Sequence, residues 1–195
     1  TPLNGVIGLS DLLKDTKLDD EQTEMVRTVH TSARILLGLI ENVLDISKIE
    51  AGKIAIEDGH IDLHALVNES VLMLGPQGRC KGLMVSSNIS PETPFQLNGD
   101  ALHLRQILIN LIGNAIKFTN EGSVTVKVML AGGTSYRPRI RFEVADTGIG
   151  IPDEQLEDIF EGFTQVEQDA NCGYGGTGLG TTIAKQLVEL MGGEI

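Results

Sequence analysis

Cysteine, tryptophan and long apolar runs are scarce in this sequence. Its 195 residues include two cysteines, Cys80 and Cys172, and no tryptophan. The cysteines lie far apart and lack C-x-x-C spacing, which argues against a disulfide framework or a zinc knuckle and suits a reducing cytosol. No apolar stretch reaches the roughly 20 residues that span a bilayer, and the N-terminus lacks the pattern of a signal peptide. We therefore expect a globular segment that makes no contact with a membrane.

Basic residues are also scarce. The chain has 15 Lys and Arg against 27 Asp and Glu, which gives a formal net charge of −12 and a pI of about 4.7. Such a surface repels phosphate backbones and anionic lipid, and no long Lys/Arg cluster reverses this locally. Nucleic acid is therefore not expected as a partner. The hydrophobic fraction of 41% suffices for one compact core and a smaller appendage.

Proline is nearly missing from the first fifty residues, whereas glycine and proline punctuate the rest of the chain. Asp19 is a candidate helix N-cap with Gln22 at the capping-box position, and the helix can continue to the end of this segment. A shorter helix is predicted over Leu3–Leu13, so that the two helices fold back as an antiparallel hairpin. The change in composition predicts a domain boundary, with one domain over residues 1–52 and a second over 53–195.

The longer helix carries two apolar stripes. Their steps of four and three residues are typical of a helix that packs against partner helices. A lone hairpin cannot cover both stripes, so we infer pairing with a second copy into a four-helix bundle. Packing of the hairpin on the second domain of its own chain is the alternative. One stripe contains Met25, Val29, Ser32, Leu36, Leu39, Val43 and Ile46, and the other contains Val26, Ala33, Leu37, Ile40 and Leu44.

Strands and helices alternate after the boundary, which predicts an α+β sandwich with helices on one face of a mixed sheet. At its C-terminus the chain ends where another strand is expected to start. The predicted strands are KIAIE, LMVSSNI, FQLNG, SVTVKVML and RIRFEVAD, the last two on either side of a Gly-Gly turn and Pro138. The predicted helices are Leu63–Met73 with Asp62 as N-cap, Asp100–Phe118, Asp153–Phe160 and Leu179–Met191.

The helix predicted over Asp100–Phe118 has an unusual polar face. Asn110, Asn114 and Lys117 fall opposite its apolar arc. A merely solvated face is the alternative, but asparagine is a poor helix former, and Glu, Lys or Gln would suit an exposed face better. Amide oxygens one turn apart are suited to Mg²⁺ that is otherwise held by phosphates. Lys117 can reach a phosphate as a point charge.

Two glycine-containing segments point to the same ligand. The segment VADTGIGIP places Asp146 at the end of a strand, followed by Gly148 and Gly150, so that a carboxylate can accept from an amine beside a flat ring. The segment GYGGTGLGTTIAKQLVELM leads a glycine-rich loop into a helix whose N-terminus favours anions. No strand precedes this loop, as a dinucleotide fold requires, and Thr181 stands where a P-loop needs lysine.

Taken in order, NLIGNAIKF, DTGIG, IFEGF and GGTGLG resemble the N, G1, F and G2 boxes of histidine kinases, and TPLNGVIGLSDLL resembles the tail of their H box. The resemblance covers nearly the whole chain. It implies a dimerisation and phosphotransfer hairpin followed by a GHKL-type (Bergerat) ATP-binding domain. The segment DTKLDDEQTEMVRTVHTSARILLGLIENVLDISKIEAGK is most similar to hybrid sensor kinases, and among them to the RpfC type.

The resemblance also implies partners, cofactors and a location. They are a homodimer through the hairpin, the receiver domain of a response regulator, ATP and Mg²⁺, and the cytoplasmic portion of a sensor kinase of the bacterial inner membrane. By position, Asn114 should ligate Mg²⁺ with Asn110 beside it, Lys117 should contact phosphate, Phe118 should pack near the adenine, and Asp146 should bind its amino group. The resemblance further implies that Gly148 and Gly150 shape the adenine side, that Gly176, Thr177, Gly178, Leu179, Gly180 and Thr182 form the phosphate side, and that Phe160 and Phe163 anchor a lid over 164–177.

One position distinguishes among relatives. ATP-hydrolysing members of the superfold resemble E-x-x-x-N-A, where the Glu is the general base, but here the first position is Asn110. An amide cannot take a proton from water, so we expect the γ-phosphate to be kept for an imidazole nucleophile. The H-box histidine is expected four residues before Thr1, and Thr1 matches the residue implicated in removing phosphate from the partner regulator.

Several alternatives remain open. A GHKL-type ATPase would release phosphate steadily. A non-catalytic scaffold is suggested by the lid, where Cys172 and Gly173 replace basic residues. His60 and His64 flank Asp62, but they lack a third metal ligand nearby and are interpreted, like the other histidines, as surface or helix-face residues.

Overall fold

The computed structural model describes residues 2–134, 136–156, 158–161 and 178–195. The chain divides into two compact units, Thr1–Ala51 and Gly52–Ile195. No helix in the described ranges is long and apolar enough to cross a membrane.

The first unit is a hairpin of α1 (Pro2–Lys14) and α2 (Asp20–Glu50). The predicted capping box is present, since Asp19 Oδ1 accepts from Gln22 N at 2.8 Å while Asp19 N donates to Gln22 Oε1 at 3.2 Å. Two of the four unsatisfied donors at the start of α2 are thereby bonded. At the other end Gly52 adopts a φ of 61°, a left-handed conformation that ends the helix at little cost.

The hairpin buries little of its apolar surface. Among its described residues, only Ser10 and Ala33 are buried, at 3% and 6% exposure. The side of α2 that faces α1 is half-buried, and the remaining apolar side chains reach solvent. Those exposed on α2 are Met25, Val29, Ile35, Leu36, Ile40, Val43 and Leu44, and those exposed on α1 are Val6, Leu9, Leu12 and Leu13.

The second unit contains two sheets rather than one. Its elements are β1 (Gly59–Asp62), α3 (Leu63–Cys80), β2 (Met84–Ile89), β3 (Gln96–Gly99), α4 (Ala101–Phe118), β4 (Ser123–Thr134), β5 (Arg137–Asp146), 3-10 turns at Asp153–Gln155 and Asp158–Phe160, and α5 (Gly180–Leu190). Strands β2, β4 and β5 form a mixed sheet, in which β2 runs parallel and β5 antiparallel to the central β4, while β1 and β3 pair antiparallel as a separate ribbon.

Helices cover one face of the mixed sheet, as predicted. Alternate residues of β4 point into the core, and Val124, Val126 and Val128 are 0 to 1% exposed. Leu108 and Ile112 of α4 belong to the same core cluster, together with side chains of α3. Helix α4 also packs against both α3 and α5, so that it is the central helix of the unit.

Four local predictions were wrong. The segment KIAIE (53–57) has no strand, and the chain first enters a sheet at Gly59. Helix α3 continues to Cys80 past Pro76. Gly78 near its end lets the helix approach β2 closely, since a Cβ on Gly78 would lie 2.3 Å from Val85 Cγ2. The helix predicted over Asp153–Phe160 is replaced by the two 3-10 turns. Strands β4 and β5 also extend beyond the predicted Gly-Gly turn and Pro138.

Candidate functional site

The polar face of α4 is half-buried rather than solvated. Asn110 and Asn114 are both of intermediate exposure and lie beside the first residue of α5. Asn110 Nδ2 donates to the Gly180 carbonyl at 3.3 Å, which leaves its amide oxygen available to a ligand. A Cβ on Gly180 would lie 3.7 Å from Asn114 Nδ2. The glycine-rich start of α5 therefore meets the two amides directly, and the solvated alternative is wrong.

Lys117 and Phe118 lie at the end of this face. Lys117 Nζ lies 4.6 Å from the centroid of the Phe118 ring, a cation–π arrangement. Burial lowers the pKa of Lys117, because a charged ammonium is less well solvated there. An anion beside Lys117 would act in the opposite direction and favour the charged form. Phe118 itself remains 41% exposed.

The Asp146 turn packs against the end of α4. Gly148 N donates to Asp146 Oδ1 at 2.8 Å, which orients the carboxylate, and in the described ranges Oδ2 has no protein partner. Ile149 N donates to the Phe118 carbonyl at 3.4 Å. Position 148 requires glycine, because a Cβ there would lie 2.5 Å from the same carbonyl oxygen, and Gly150 has a φ of 73°.

Thr147 anchors this turn, a role that the sequence did not reveal. Its Oγ1 accepts from Ser123 N and donates to the Glu121 carbonyl, both at 3.0 Å. The intervening Gly122 admits the hydroxyl, since a Cβ there would lie 2.2 Å from Thr147 Oγ1. The D-x-G-x-G pattern names the carboxylate and the glycines, but the partners of the threonine lie more than twenty residues away along the chain.

Lys81 is a second residue that the sequence did not single out. Its ammonium group donates to the carbonyls of Ile116, Lys117 and Thr119 at 2.9, 2.8 and 3.3 Å. It therefore bonds the C-terminal end of α4, where the last carbonyls of a helix lack partners within the helix. No local pattern predicts a bond across 35 residues.

The remaining predicted residues fall at the start of α5 or outside the described ranges. Gly178 has a φ of 68°, Leu179 is fully buried, and Thr182 is 9% exposed. The Phe160 ring centroid lies 5.8 Å from Lys185 Nζ. Four predicted residues, Thr1, Phe163, Gly176 and Thr177, lie outside the described residues, as does the predicted lid over 164–177.

The histidines of the second unit have structural neighbours. His64 stacks on Phe95 with ring centroids 3.8 Å apart, and His60 lies in the β1–β3 ribbon. His103 Nδ1 lies 2.6 Å from Asp100 Oδ2 at the start of α4. In the described ranges no group of three or more His, Cys, Asp or Glu side chains is arranged to hold a metal.

Two family models match the sequence. The model of the histidine kinase-, DNA gyrase B- and HSP90-like ATPase matches residues 99–195, and the model of the His kinase A (phospho-acceptor) domain matches residues 1–52. The first range contains the segments with Asn110, Asp146 and Gly180, and the second range contains the helical hairpin.

Curated relatives match over the full chain. The sensory/regulatory protein RpfC of Xanthomonas campestris pv. campestris is 47% identical over 196 residues, and the sensor protein GacS of Pseudomonas syringae pv. syringae is 42% identical over 195 residues. The histidine-protein kinase BarA of Escherichia coli K12 is 40% identical over 195 residues. The chain corresponds to 27%, 22% and 21% of the lengths of these relatives.

Solved structures show the same architecture. Full-length ShkA in complex with AMPPNP superposes with a TM-score of 0.78 at 35% identity, covering 98% of this chain and 38% of ShkA. The ThkA kinase in complex with the response regulator TrrA gives a TM-score of 0.65 at 20% identity, covering 99% of this chain and 52% of that one, a likeness of fold alone.

Proposed function

Since the chain belongs to the histidine kinase family, we propose that residues 53–195 bind Mg·ATP and transfer its γ-phosphate to a histidine, from which it passes to an aspartate of a response regulator. The observation that carries this proposal is the half-buried polar face of α4, with Asn110 bonded to Gly180 and the Asp146 turn packed on the end of the helix. A solvated helix face would have neither neighbour.

The adenine is assigned to the side of Asp146. A carboxylate whose Oδ2 has no protein partner in the described ranges can accept from the exocyclic amine of the base. Phe118, Ile149 and Ile151 are 41%, 56% and 47% exposed around it, which is more apolar surface than a closed site would leave. A flat purine would cover these side chains. The AMPPNP complex of ShkA supports an adenine nucleotide as the ligand.

The phosphates are assigned to the side of Lys117 and Gly180. Lys117 supplies a positive charge at this end of α4, and the N-terminus of α5 favours anions. The amide oxygens of Asn114 and Asn110 would hold Mg²⁺, since half-buried neutral oxygens fit a cation that phosphates also ligate. The cation would neutralise charge on the transferring phosphoryl group.

Asn110 decides between transfer and hydrolysis. Its amide cannot serve as the general base that would activate water, and one of its hydrogens is already donated to Gly180. The site therefore orients the γ-phosphate and keeps it for an imidazole. The phosphorus–nitrogen bond then forms as the bond to the bridging oxygen of ADP breaks.

The first domain is assigned to dimerisation and phosphotransfer. The exposed apolar side chains of α2, such as Leu36 and Val43, would be covered by a second copy in a four-helix bundle. The phosphoacceptor histidine would precede Thr1, and a receiver domain would dock on the bundle. We place this segment on the cytoplasmic side of a sensor kinase of the bacterial inner membrane.

Calorimetric titration with Mg·ATP tests the nucleotide site. We expect binding heat with the chain and with Asn88→Ala, an exposed asparagine on β2, but not with Asn114→Ala. Absence of heat with all three proteins would leave only the non-catalytic scaffold.

Phosphate release separates the two catalytic alternatives. Steady release of inorganic phosphate by this chain would establish the ATPase instead. A longer chain that includes the upstream histidine is expected to become phosphorylated without such release.

A further inference from the structure

We propose that Lys81 is a positioning residue for the nucleotide site, because its ammonium group orders the end of α4 that carries Lys117 and Phe118. This inference rests on the proposed binding of ATP to residues 53–195. It assigns a role to a side chain on α3's C-terminal cap, outside the segments that the family resemblance marked.

The three donors of the Lys81 ammonium all point at backbone carbonyls. Ile116, Lys117 and Thr119 accept them at 2.9, 2.8 and 3.3 Å. A positive charge at the negative end of a helix dipole is favourable, and hydrogen bonds from a charged donor are stronger than neutral ones. These three acceptors lie in the last turn of α4 and at its C-cap, so Lys81 acts on the end of this helix.

The backbone holds Lys81 at this place. Lys81 N and Leu83 N both donate to the Gly78 carbonyl, at 3.0 and 2.9 Å, so that the chain turns tightly from α3 into β2. Gly82 makes this turn possible with a φ of 73°. The backbone at Lys81 is thus held in the tight junction between α3 and β2.

The bonded carbonyls flank the residues assigned to the nucleotide. The Phe118 carbonyl accepts from Ile149 N, and Gly148 packs against the same oxygen. Loss of the ammonium would remove the Lys81 bonds to the Ile116 and Lys117 carbonyls in the last turn of α4, so that this turn frays more readily. Lys117, Phe118 and the Asp146 turn would then occupy the binding geometry for a smaller fraction of the time, which raises the apparent dissociation constant.

The test compares nucleotide affinity in matched variants. Lys81→Met keeps the apolar stem and removes the charge. Lys127→Met makes the same change on β4, where Lys127 Nζ has a long ion-pair distance of 3.9 Å to Glu143 Oε2. With a fluorescent ATP analogue and Mg²⁺, we expect Lys81→Met to raise Kd about fivefold to tenfold, a modest coupling between sites. Lys127→Met should leave Kd unchanged, and Lys81→Arg should restore much of the affinity.

Hydrogen exchange separates this inference from the proposed function. Without nucleotide, the amides of Thr119 and Ile149 should exchange faster in Lys81→Met, while those in the centre of β4 keep their protection. A wild-type chain that binds no ATP would overturn the proposed function and with it the role of Lys81 in binding, whereas unchanged exchange would overturn the ordering of α4.

Unchanged Kd in a folded Lys81→Met protein would overturn the positioning role even if its thermal stability fell. If Lys81→Met does not fold, Lys81→Gln replaces it, since its polar side chain is uncharged and one atom too short to reach the three carbonyls as the ammonium does. The same rise in Kd is expected, and an affinity equal to wild type would again contradict the proposal.

Discussion

The helical hairpin leaves large apolar side chains of its long helix exposed, whereas the second unit buries those of its central helix in a core. On α2, Met25 and Leu36 are 56% and 48% exposed, whereas on α4 Leu108 and Ile112 are 1% and 0% exposed. Both helices have strong apolar periodicity, so the pattern alone does not distinguish them. The second unit buries the apolar face of α4 in its own core. The hairpin does not bury its two stripes, so that covering them with a partner would contribute about 25 cal/mol per Å² of apolar surface.

A cavity in the closed core should give the largest effect. We expect Ile112→Ala to lower the free energy of unfolding of the second unit by about 2 to 5 kcal/mol, because a fully buried side chain is truncated and its surroundings collapse only partly. Leu102→Ala on the same helix is the control, since Leu102 is 70% exposed. Urea unfolding monitored by circular dichroism measures both. Equal losses in the two variants would show that α4 is not the core helix.

A charge placed on an exposed apolar stripe of α2 tests whether the hairpin dimerises through that stripe. Leu36→Asp should remove about 1.5 to 3 kcal/mol of association free energy per chain, because a leucine buried in the dimer is replaced by a carboxylate. Leu72→Asp, on an α3 side chain that is 72% exposed, should have no such effect. Sedimentation over a range of concentrations measures the dimer. A wild-type chain that stays monomeric throughout would favour packing of the hairpin on its own second domain.

Local signals predicted most of the elements that this comparison uses. Asp19 and Gln22 predicted the start of α2, and the polar arc of α4 marked the helix face that lies against the first residue of α5. The failures are positions where a distant contact decides. Helix α3 continues past Pro76 to a close contact of Gly78 with Val85, and Lys81 bonds the Ile116 carbonyl 35 residues away. Periodicity contains no information on such pairs, since it describes one element at a time.

Asp100 shows how the second unit fixes its own first residues, because it bonds the segment before β1 to the start of α4. Its Oδ2 accepts from Glu57 N at 2.9 Å and lies 2.6 Å from His103 Nδ1, while Oδ1 accepts from His103 N. Burial raises the pKa of Asp100, but the hydrogen bonds from His103 N, Glu57 N and the His103 side chain outweigh it, so that the pKa lies below its ordinary value of 3.8.

The lowered pKa of Asp100 predicts that the stability of the second unit falls at acidic pH. Asp100 stabilises the fold fully above its unfolded pKa, and this stabilisation is lost as the pH falls through the lower folded value. Asp100→Asn keeps the oxygen that caps α4, but an amide nitrogen replaces Oδ2 and cannot accept from Glu57 N. This variant should lose about 1 to 2 kcal/mol of stability at neutral pH. Stability curves between neutral pH and pH 2 should be shallower for this variant than for Asp62→Asn, an exposed N-cap. Parallel curves would contradict the assignment.

The smallest expected effect concerns the cap of α2. Asp19→Ala removes the acceptor of Gln22 N and should cost about 1 kcal/mol of helix stability, whereas Asp19→Asn keeps a side-chain oxygen and should cost much less. Thermal unfolding of the hairpin measures this loss, and the midpoint of each protein should rise with concentration, because dimerisation stabilises the folded hairpin by mass action. If the wild-type midpoint were the same at every concentration, the hairpin would unfold as a monomer, and its exposed stripes would need another explanation.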